Sequence, residues 1–356
     1  SEKLSSSLSA EYLYTTGRYH FTYRVKEGYD TTAVRKNGDV QAMRVEGGLY
    51  GKLPDGYWKT KAYFYRSERG YPGAVVRNKF SHEDRQWDTN LFAQGSFKKD
   101  FSEQYSLLAN AKYAYDYLHY LADPRRDESL MYVDNRYYQH EVYASVAHRY
   151  SLLPVWDVSL STDYQFNLLN ADMHDFLYPR RHTLLAAAAT ALHFDCFKLQ
   201  ASLLTTWVND RVTEGKKAAD NRTEWTPAVF VSYKPFQHED FSLRAFYKRI
   251  FRMPTLNDLY YTMVGNVKLD PEYTNQYNLG VTYAKSFSHA WLRHIELQAD
   301  AYYNTVENKI VATPTSNFFR WTMVNLGEVE IRGIDVALQS MWQPLRDLRL
   351  NLRMNY

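Results

Sequence analysis

The sequence predicts an all-β protein: a transmembrane, antiparallel up-and-down β-barrel, with about sixteen strands in its 356 residues and long loops at one end. Three observations lead there. Apolar and polar residues alternate with period two over segments of ten residues or more. Tight turns and longer polar segments alternate along the chain. Aromatic residues are abundant, with 32 Tyr, 18 Phe and 8 Trp, yet only 45% of the chain is apolar. So many rings in so hydrophilic a chain cannot all occupy one thick core.

In chain order, the first turn signal is Thr16-Gly17-Arg18, followed by a polar segment at 25–38. Pro54-Asp55-Gly56 marks a second turn, and 66–86 a second loop. Lys98-Lys99-Asp100 precedes the strand at 105–117, where Tyr105, Leu107, Ala109, Ala111, Tyr113, Tyr115 and Tyr117 oppose Ser106, Asn110, Lys112 and Asp116. After a loop at 118–136, Leu153-Pro154 turns into the strand at 155–167. There Trp156, Val158, Leu160, Thr162, Tyr164 and Phe166 oppose Asp157, Ser159, Ser161, Asp163, Gln165 and Asn167. A loop at 168–181 and a turn at Asp195-Cys196 frame 196–207, where Phe197, Leu199, Ala201, Leu203, Thr205 and Trp207 oppose Lys198, Gln200, Ser202 and Thr206. Loops at 208–224, 253–273 and 305–320 alternate with turns at 236–240, 286–290 and 344–347. Between them, Ile295, Leu297, Ala299, Ala301 and Tyr303 oppose Glu296, Gln298, Asp300, Tyr302 and Asn304. The last strand sets Leu348, Leu350, Leu352, Met354 and Tyr356 against Arg349, Asn351, Arg353 and Asn355.

Strands in globular proteins usually span about 5–6 residues, whereas a tilted strand needs roughly 9–11 to cross a bilayer. The polar faces carry charges, which a closed apolar core rejects and a water-filled bore accepts. Rings gather at strand ends, as interfacial girdles require. A soluble β-sandwich or propeller is the rival with alternating strands, but its strands are short. Eight tight turns opposite long loops match the periplasmic and extracellular ends of an outer-membrane barrel. In lipid, closure is compulsory, because an unpaired edge finds no water there.

Other classes find little support. Lys and Arg total 43 against 40 Asp and Glu, so no basic excess favours nucleic acid. One cysteine excludes an internal disulfide framework and a Cys-rich metal site. No phosphate loop, nucleophile elbow or zinc-protease motif is present, and no strand gathers the Ser, His and acid of a hydrolase. No catalytic residue, metal site or cofactor is expected. Asp123, Asp127 and Glu128 are interrupted by Arg125 and Arg126, which spoils a calcium loop. His82, His119 and His174 read as isolated loop residues. A sixteen-stranded passive porin remains open on composition and periodicity alone.

Two stretches carry a family resemblance. In 247–280, Phe251, Arg252 and Pro254 are followed by Asn257, Leu259 and Tyr260, then by Gly265, Asn266, Leu269, Pro271 and Glu272. In 322–338, Asn325 and Gly327 precede Arg332 and Gly333. Together they resemble the barrel of TonB-dependent outer-membrane receptors, and SERGYPGAVV at 67–76 is similar to receptors of Bacteroidetes type. The physical reading stands beside this. Pro254 closes a strand at the rim, Asn257 and Asp258 suit a turn, and Gly327 and Gly333 inside a strand suggest a bulge or close backbone approach.

The resemblance implies about 22 strands around an N-terminal plug. The sequence begins and ends within strands, so 1–356 is expected to be a partial barrel domain, without the plug and the last strands. It implies active import of a scarce ligand, driven by TonB pulling on the plug, in a bacterial outer membrane. Expected partners are TonB through the absent plug segment, outer-membrane lipid, the imported ligand and a surface lipoprotein. The layout resembles the vitamin B12 branch, so a corrinoid such as cobalamin is the first cargo, and a ferric siderophore or haem the alternative. Haem receptors of the family often carry Tyr at the aromatic-Arg position and a His in the following loop. Here the aromatic is Phe251 and 253–273 contains no His. Arg69, Tyr71 and Arg77 in one loop, and Tyr260, Tyr261 and Asn266 in another, are the expected ligand contacts, since rings and Arg dominate recognition.

Overall fold

A computed structural model describes residues 3–25, 28–72, 84–122, 132–261, 265–288, 291–314 and 321–356. Its wall is one antiparallel sheet of fifteen strands. These are β1 (Leu4–Thr15), then β4 (Val40–Leu53), β5 (Gly56–Tyr71), β6 (Asp84–Asp100), β7 (Tyr105–Ala122), β8 (Val133–Leu153), β9 (Trp156–Ala171), β10 (Arg180–His193), β11 (Phe197–Arg211), β12 (Arg222–Tyr233), β13 (Asp240–Arg252), β14 (Glu272–Ser286), β15 (Leu292–Glu307), β18 (Val329–Leu345) and β19 (Leu348–Asn355). Two small hairpins extend the long-loop end: β2 (Tyr19–Arg24) with β3 (Asp30–Arg35), and β16 (Lys309–Pro314) with β17 (Trp321–Leu326). A one-turn helix, α1 (Leu256–Tyr260), follows β13. Among the described residues, β1 pairs only with β4 and β19 only with β18, so this wall is not closed.

Seven of the eight expected tight turns join neighbouring wall strands at one end. The exception is Thr16-Gly17-Arg18, which lies at the opposite end. It leads from β1 into the β2–β3 hairpin rather than into another wall strand, and this makes fifteen strands rather than sixteen. The loops are shorter than the sequence suggests because pairing continues into them. β8 runs 21 residues, about twice what a bilayer needs. Cross-strand hydrogen bonds there satisfy backbone groups beyond any membrane boundary.

The two faces of the sheet follow the sequence alternation. On β9, Leu160 is 63% exposed on the apolar face, and Ser161 turns inward. Neighbours in register keep this sorting: Leu160 pairs with Ala188, and Ala188 with Leu203. Rings bracket the apolar band. Tyr105, Tyr150 and Trp156 mark its tight-turn end, and Tyr113, Tyr164 and Trp207 its loop end. The inward face carries neutralised charges, including Lys61–Glu46 and Lys112–Glu141, both at 2.9 Å, and Arg244–Asp300 at 3.2 Å. Bringing such charges together on a wet face costs little, whereas facing them to hydrocarbon costs several kcal/mol each.

Register shifts interrupt the ladders at Leu292/His294, Trp342/Leu345 and Ser151/Leu153, and the β12–β13 seam is incomplete. β12 pairs with β13 only over 228–233 and 243–248, although both strands continue towards the loop end. Pro227, at the point where the ladder stops, has no N–H to donate. Tyr273, on the far side of β13, reaches across the seam and donates to Glu224 Oε1 at 2.7 Å.

Candidate functional site: the loop-end mouth

The hydrophobic core lies at the loop end, where loops fold inward over the bore. Leu259 is 1% exposed, and it packs with Tyr137, Leu169, Phe176, Leu256 and Leu269. The segment after β13 supplies much of this core. Asn257 and Asp258, expected in a turn, instead belong to α1. The reason is local: Thr255 caps the helix, its hydroxyl accepting from Asp258 N while the Asp258 carboxylate accepts from Thr255 N. That capping box satisfies two otherwise orphaned donors. Pro254 does end the strand at the rim, and it is fully buried.

An ionic latch holds α1 against the inner wall. Arg181 on β10 and Asp210 on β11 are cross-strand partners facing inward. Arg181 donates from Nε and Nη2 to the two Asp210 oxygens, each at 2.7 Å, and from Nη1 to the Pro254 carbonyl at 2.6 Å. Asp210 is fully buried and also accepts from the Tyr260 hydroxyl at 2.9 Å. The same hydroxyl accepts from Ala219 N at 3.0 Å. Burial first, with Asp210 adding to it, pushes the Tyr260 phenol far above its usual range. It therefore stays protonated and keeps donating. Sequence reading missed this pair, since it placed Arg181 and Asp210 in loops. Extending the period-two alternation of 196–207 by a few residues would have put Asp210 on the inward face, whereas the Ala-rich 184–192 offers no alternation from which to place Arg181.

Further fastenings lie on the other side of the loop. Asn266 donates to the Met323 carbonyl at 3.0 Å. Asn325 donates to the carbonyls of Asp270 and Asn308, and its side-chain oxygen accepts from Asp270 N. Arg222 pairs with Asp270 at 2.8 Å. Glu272, 5% exposed, accepts from Arg252 and from Ile310 N, each at 2.7 Å. Thus Leu259, Leu269, Pro271, Glu272 and Asn325 build the mouth, while Phe251 sits 5.8 Å from the Tyr273 ring.

The two glycines argued as close approaches differ. A Cβ on Gly333 would lie 2.4 Å from the Tyr302 hydroxyl, so its strand position does bring a neighbour close. Gly327 lies between β17 and β18, outside any strand, with open space around it. At Gly265 the close neighbours are backbone: a Cβ would fall 2.6 Å from Tyr261 N and 2.8 Å from the Leu259 carbonyl oxygen. Backbone cannot rotate away as a tyrosine can. Gly265→Ala is therefore expected to destabilise the loop by about 1–3 kcal/mol, measured as faster proteolytic cleavage there. Gly333→Ala should leave that rate close to wild type.

The expected contact residues take different places. Arg69 and Tyr71 lie on β5, on the inward face, rather than in a loop. Arg69 donates to Asp88 at 2.7 Å, and its buried Nε has no partner among the described residues. Tyr71 donates to Gln86 at 2.8 Å with its ring edge-on to Tyr120. Tyr261 stacks on Tyr137 at 5.0 Å. Tyr260, 3% exposed, and Asn266 spend their polar groups on fastening the loop, Tyr260 to Asp210 and Ala219 and Asn266 to Met323 and Lys268. Arg77, His82 and the 123–128 acidic segment lie outside the described residues. His174 is exposed, and His119 pairs with Asp134 at 2.7 Å while stacking on Trp87. Below α1 the inward face carries an open pocket of about 640 Å³, lined by Gln139, Gln165, Asn167, Arg181, Lys248 and Asn257 among others.

A family model described as "TonB dependent receptor-like, beta-barrel" matches residues 4–356. The chain belongs to that family. This decides against the passive porin and the soluble sandwich, and the family is one of receptors and transporters rather than of enzymes. Over 86 residues, 24% of this receptor barrel, the chain is 31% identical to the vitamin B12 transporter BtuB of Vibrio vulnificus (strain YJ016), spanning 13% of that protein. The copper transporter OprC matches 99% of the chain at TM-score 0.69 and 15% identity. The FrpB iron transporter of Neisseria meningitidis (F5-1 variant) matches 99% at TM-score 0.71 and 11% identity. The barrel spans 61% of the first of these two structures and 58% of the second.

Proposed function

We propose that the barrel domain, residues 1–356, is the wall of an outer-membrane receptor that imports a scarce, large ligand. A plug and further strands complete the receptor, TonB drives it through the plug, and a surface lipoprotein is a candidate partner. The observation that supports this best is the family match over nearly the whole chain, together with a mouth of fastened loops above a polar bore. A corrinoid such as cobalamin is the first cargo. Its support is the similarity to a vitamin B12 transporter. The solved relatives, at 11–15% identity, share the fold alone and do not separate copper, iron or siderophore cargo.

Tyr71, Tyr261 and Arg69 are the proposed ligand contacts, and Arg77, outside the described residues, is a further one proposed from the sequence. Tyr260 and Asn266 position the loop that carries Tyr261. Binding of cyanocobalamin to the whole receptor tests the reading by titration calorimetry. The Tyr71→Ala/Tyr261→Ala variant is expected to bind at least tenfold more weakly, as loss of two aromatic contacts implies. Unchanged affinity in that variant would remove the mouth assignment. Binding of a ferric siderophore in place of cyanocobalamin would overturn the cargo and leave the import class standing.

A further inference from the structure

We propose that Arg180 and Arg211 form a site on the outer face of the wall for the phosphate monoester of a membrane lipid headgroup. They are direct cross-strand partners at the loop ends of β10 and β11. Both are exposed and have the outward parity opposite to Arg181 and Asp210. Like charges placed opposite each other on a sheet repel, and neither guanidinium makes an ion pair or hydrogen bond among the described residues. Three other arginines at this end are neutralised, Arg136 by Asp172 at 3.0 Å, Arg181 by Asp210, and Arg222 by Asp270. Arg66, exposed and also without an ion pair among the described residues, has Met43 and Thr89 rather than a second arginine opposite it. The repulsion at Arg180–Arg211 thus has no counter-charge among the described residues.

Position identifies the counter-ion. Moving inward along the outer face, the next row is Phe166, His182 and Asn209, and the row after it Tyr164, Leu184 and Trp207. That second row is the aromatic edge of the apolar band. Arg180 and Arg211 therefore lie two rows, about 13 Å of strand, beyond the Tyr164–Trp207 edge, at the level of polar headgroups. His182 sits between them and the band. Its Nδ1 is engaged by the Tyr164 hydroxyl at 2.8 Å, which leaves Nε2 for a headgroup. Two planar guanidinium forks suit a dianionic phosphate better than a zwitterionic one. The proposal rests on the membrane reading above but not on the cargo.

The test uses the whole receptor in phosphatidylcholine vesicles doped with spin-labelled phosphatidic acid. Electron spin resonance reads the preference for the labelled lipid over its phosphatidylcholine analogue. Wild type should prefer phosphatidic acid, and the preference should weaken with added salt. Arg180→Ala and Arg211→Ala should each reduce it about fivefold, the effect of one surface arginine on an anionic lipid, and Lys at both positions should retain most of it. An equal loss in Arg66→Ala, an exposed arginine elsewhere at this end, would mean general surface charge and overturn the site. So would an unchanged preference in the double Ala variant, or full competition by inorganic phosphate. Failure of any form to insert would instead count against the membrane reading.

Discussion

Leu160→Arg is expected to block folding into a bilayer, while Ser161→Arg, one residue further on, is expected to fold. Leu160 lies midway between the Trp156 and Tyr164 rings on the outer face. A charge at the middle of the bilayer costs a barrel about 2–4 kcal/mol. Ser161 faces the bore, where water and the other charges of the inner wall accommodate a guanidinium. The measurement is the folded fraction of the whole receptor after insertion into phosphatidylcholine vesicles, read by its heat-dependent shift on gels. A water-soluble β-protein would behave in the opposite sense, since replacing an exposed Leu by Arg would cost it nothing. Equal folding of the two variants, together with solubility in the absence of detergent, would remove the membrane reading.

The second large effect is expected at the latch. Asp210→Ala leaves Arg181 buried against the Pro254 carbonyl without its counter-charge, a loss of about 3–5 kcal/mol for a buried pair. The cost falls on the loop, which opens locally before the wall unfolds. Hydrogen exchange of the amides in 253–261 and 265–271 should accelerate by about two to four orders of magnitude. The central amides of β9 and β11 should be unaffected. The Arg181→Met/Asp210→Leu variant, which removes both charges and keeps apolar volume, should recover most of the protection. Unaltered exchange in Asp210→Ala would show that the apolar packing of Leu256 and Leu259 holds the loop without the ion pair.

The wall was largely legible. Alternation along 155–167 and 295–304 assigned the outer and inner faces correctly, because a strand repeats every two residues and each face meets a different solvent. The tight turns at Pro54-Asp55-Gly56 and Leu153-Pro154 were legible for a related reason: left-handed or N–H-free backbone selects a few residue types. Asp55 indeed has a φ of 55°. The first turn misled, because Thr16-Gly17-Arg18 serves a side hairpin with the same local chemistry as a wall turn.

The mouth was legible in composition and not in role. The motif around Pro254, Gly265 and Glu272 marks a segment with special backbone demands, but the letters do not show that Tyr260 turns into the core and Tyr261 onto Tyr137. Those two neighbours differ only in which way a one-turn helix presents them. In the same way, Arg180 and Arg211 read as ordinary strand-end charges until the register places them opposite each other.

By itself, the sequence determined the strand period, the sorting of faces, most turn positions and the family to which the chain belongs. All of these depend on neighbours in the chain or on a motif read in order. Only the tertiary structure decided which charges meet, as Arg181 does Asp210 across 29 positions, and which find no partner among the described residues, as at Arg180 and Arg211. Electrostatic energy falls with distance in space, and the pairing register that sets that distance spans residues the chain keeps far apart.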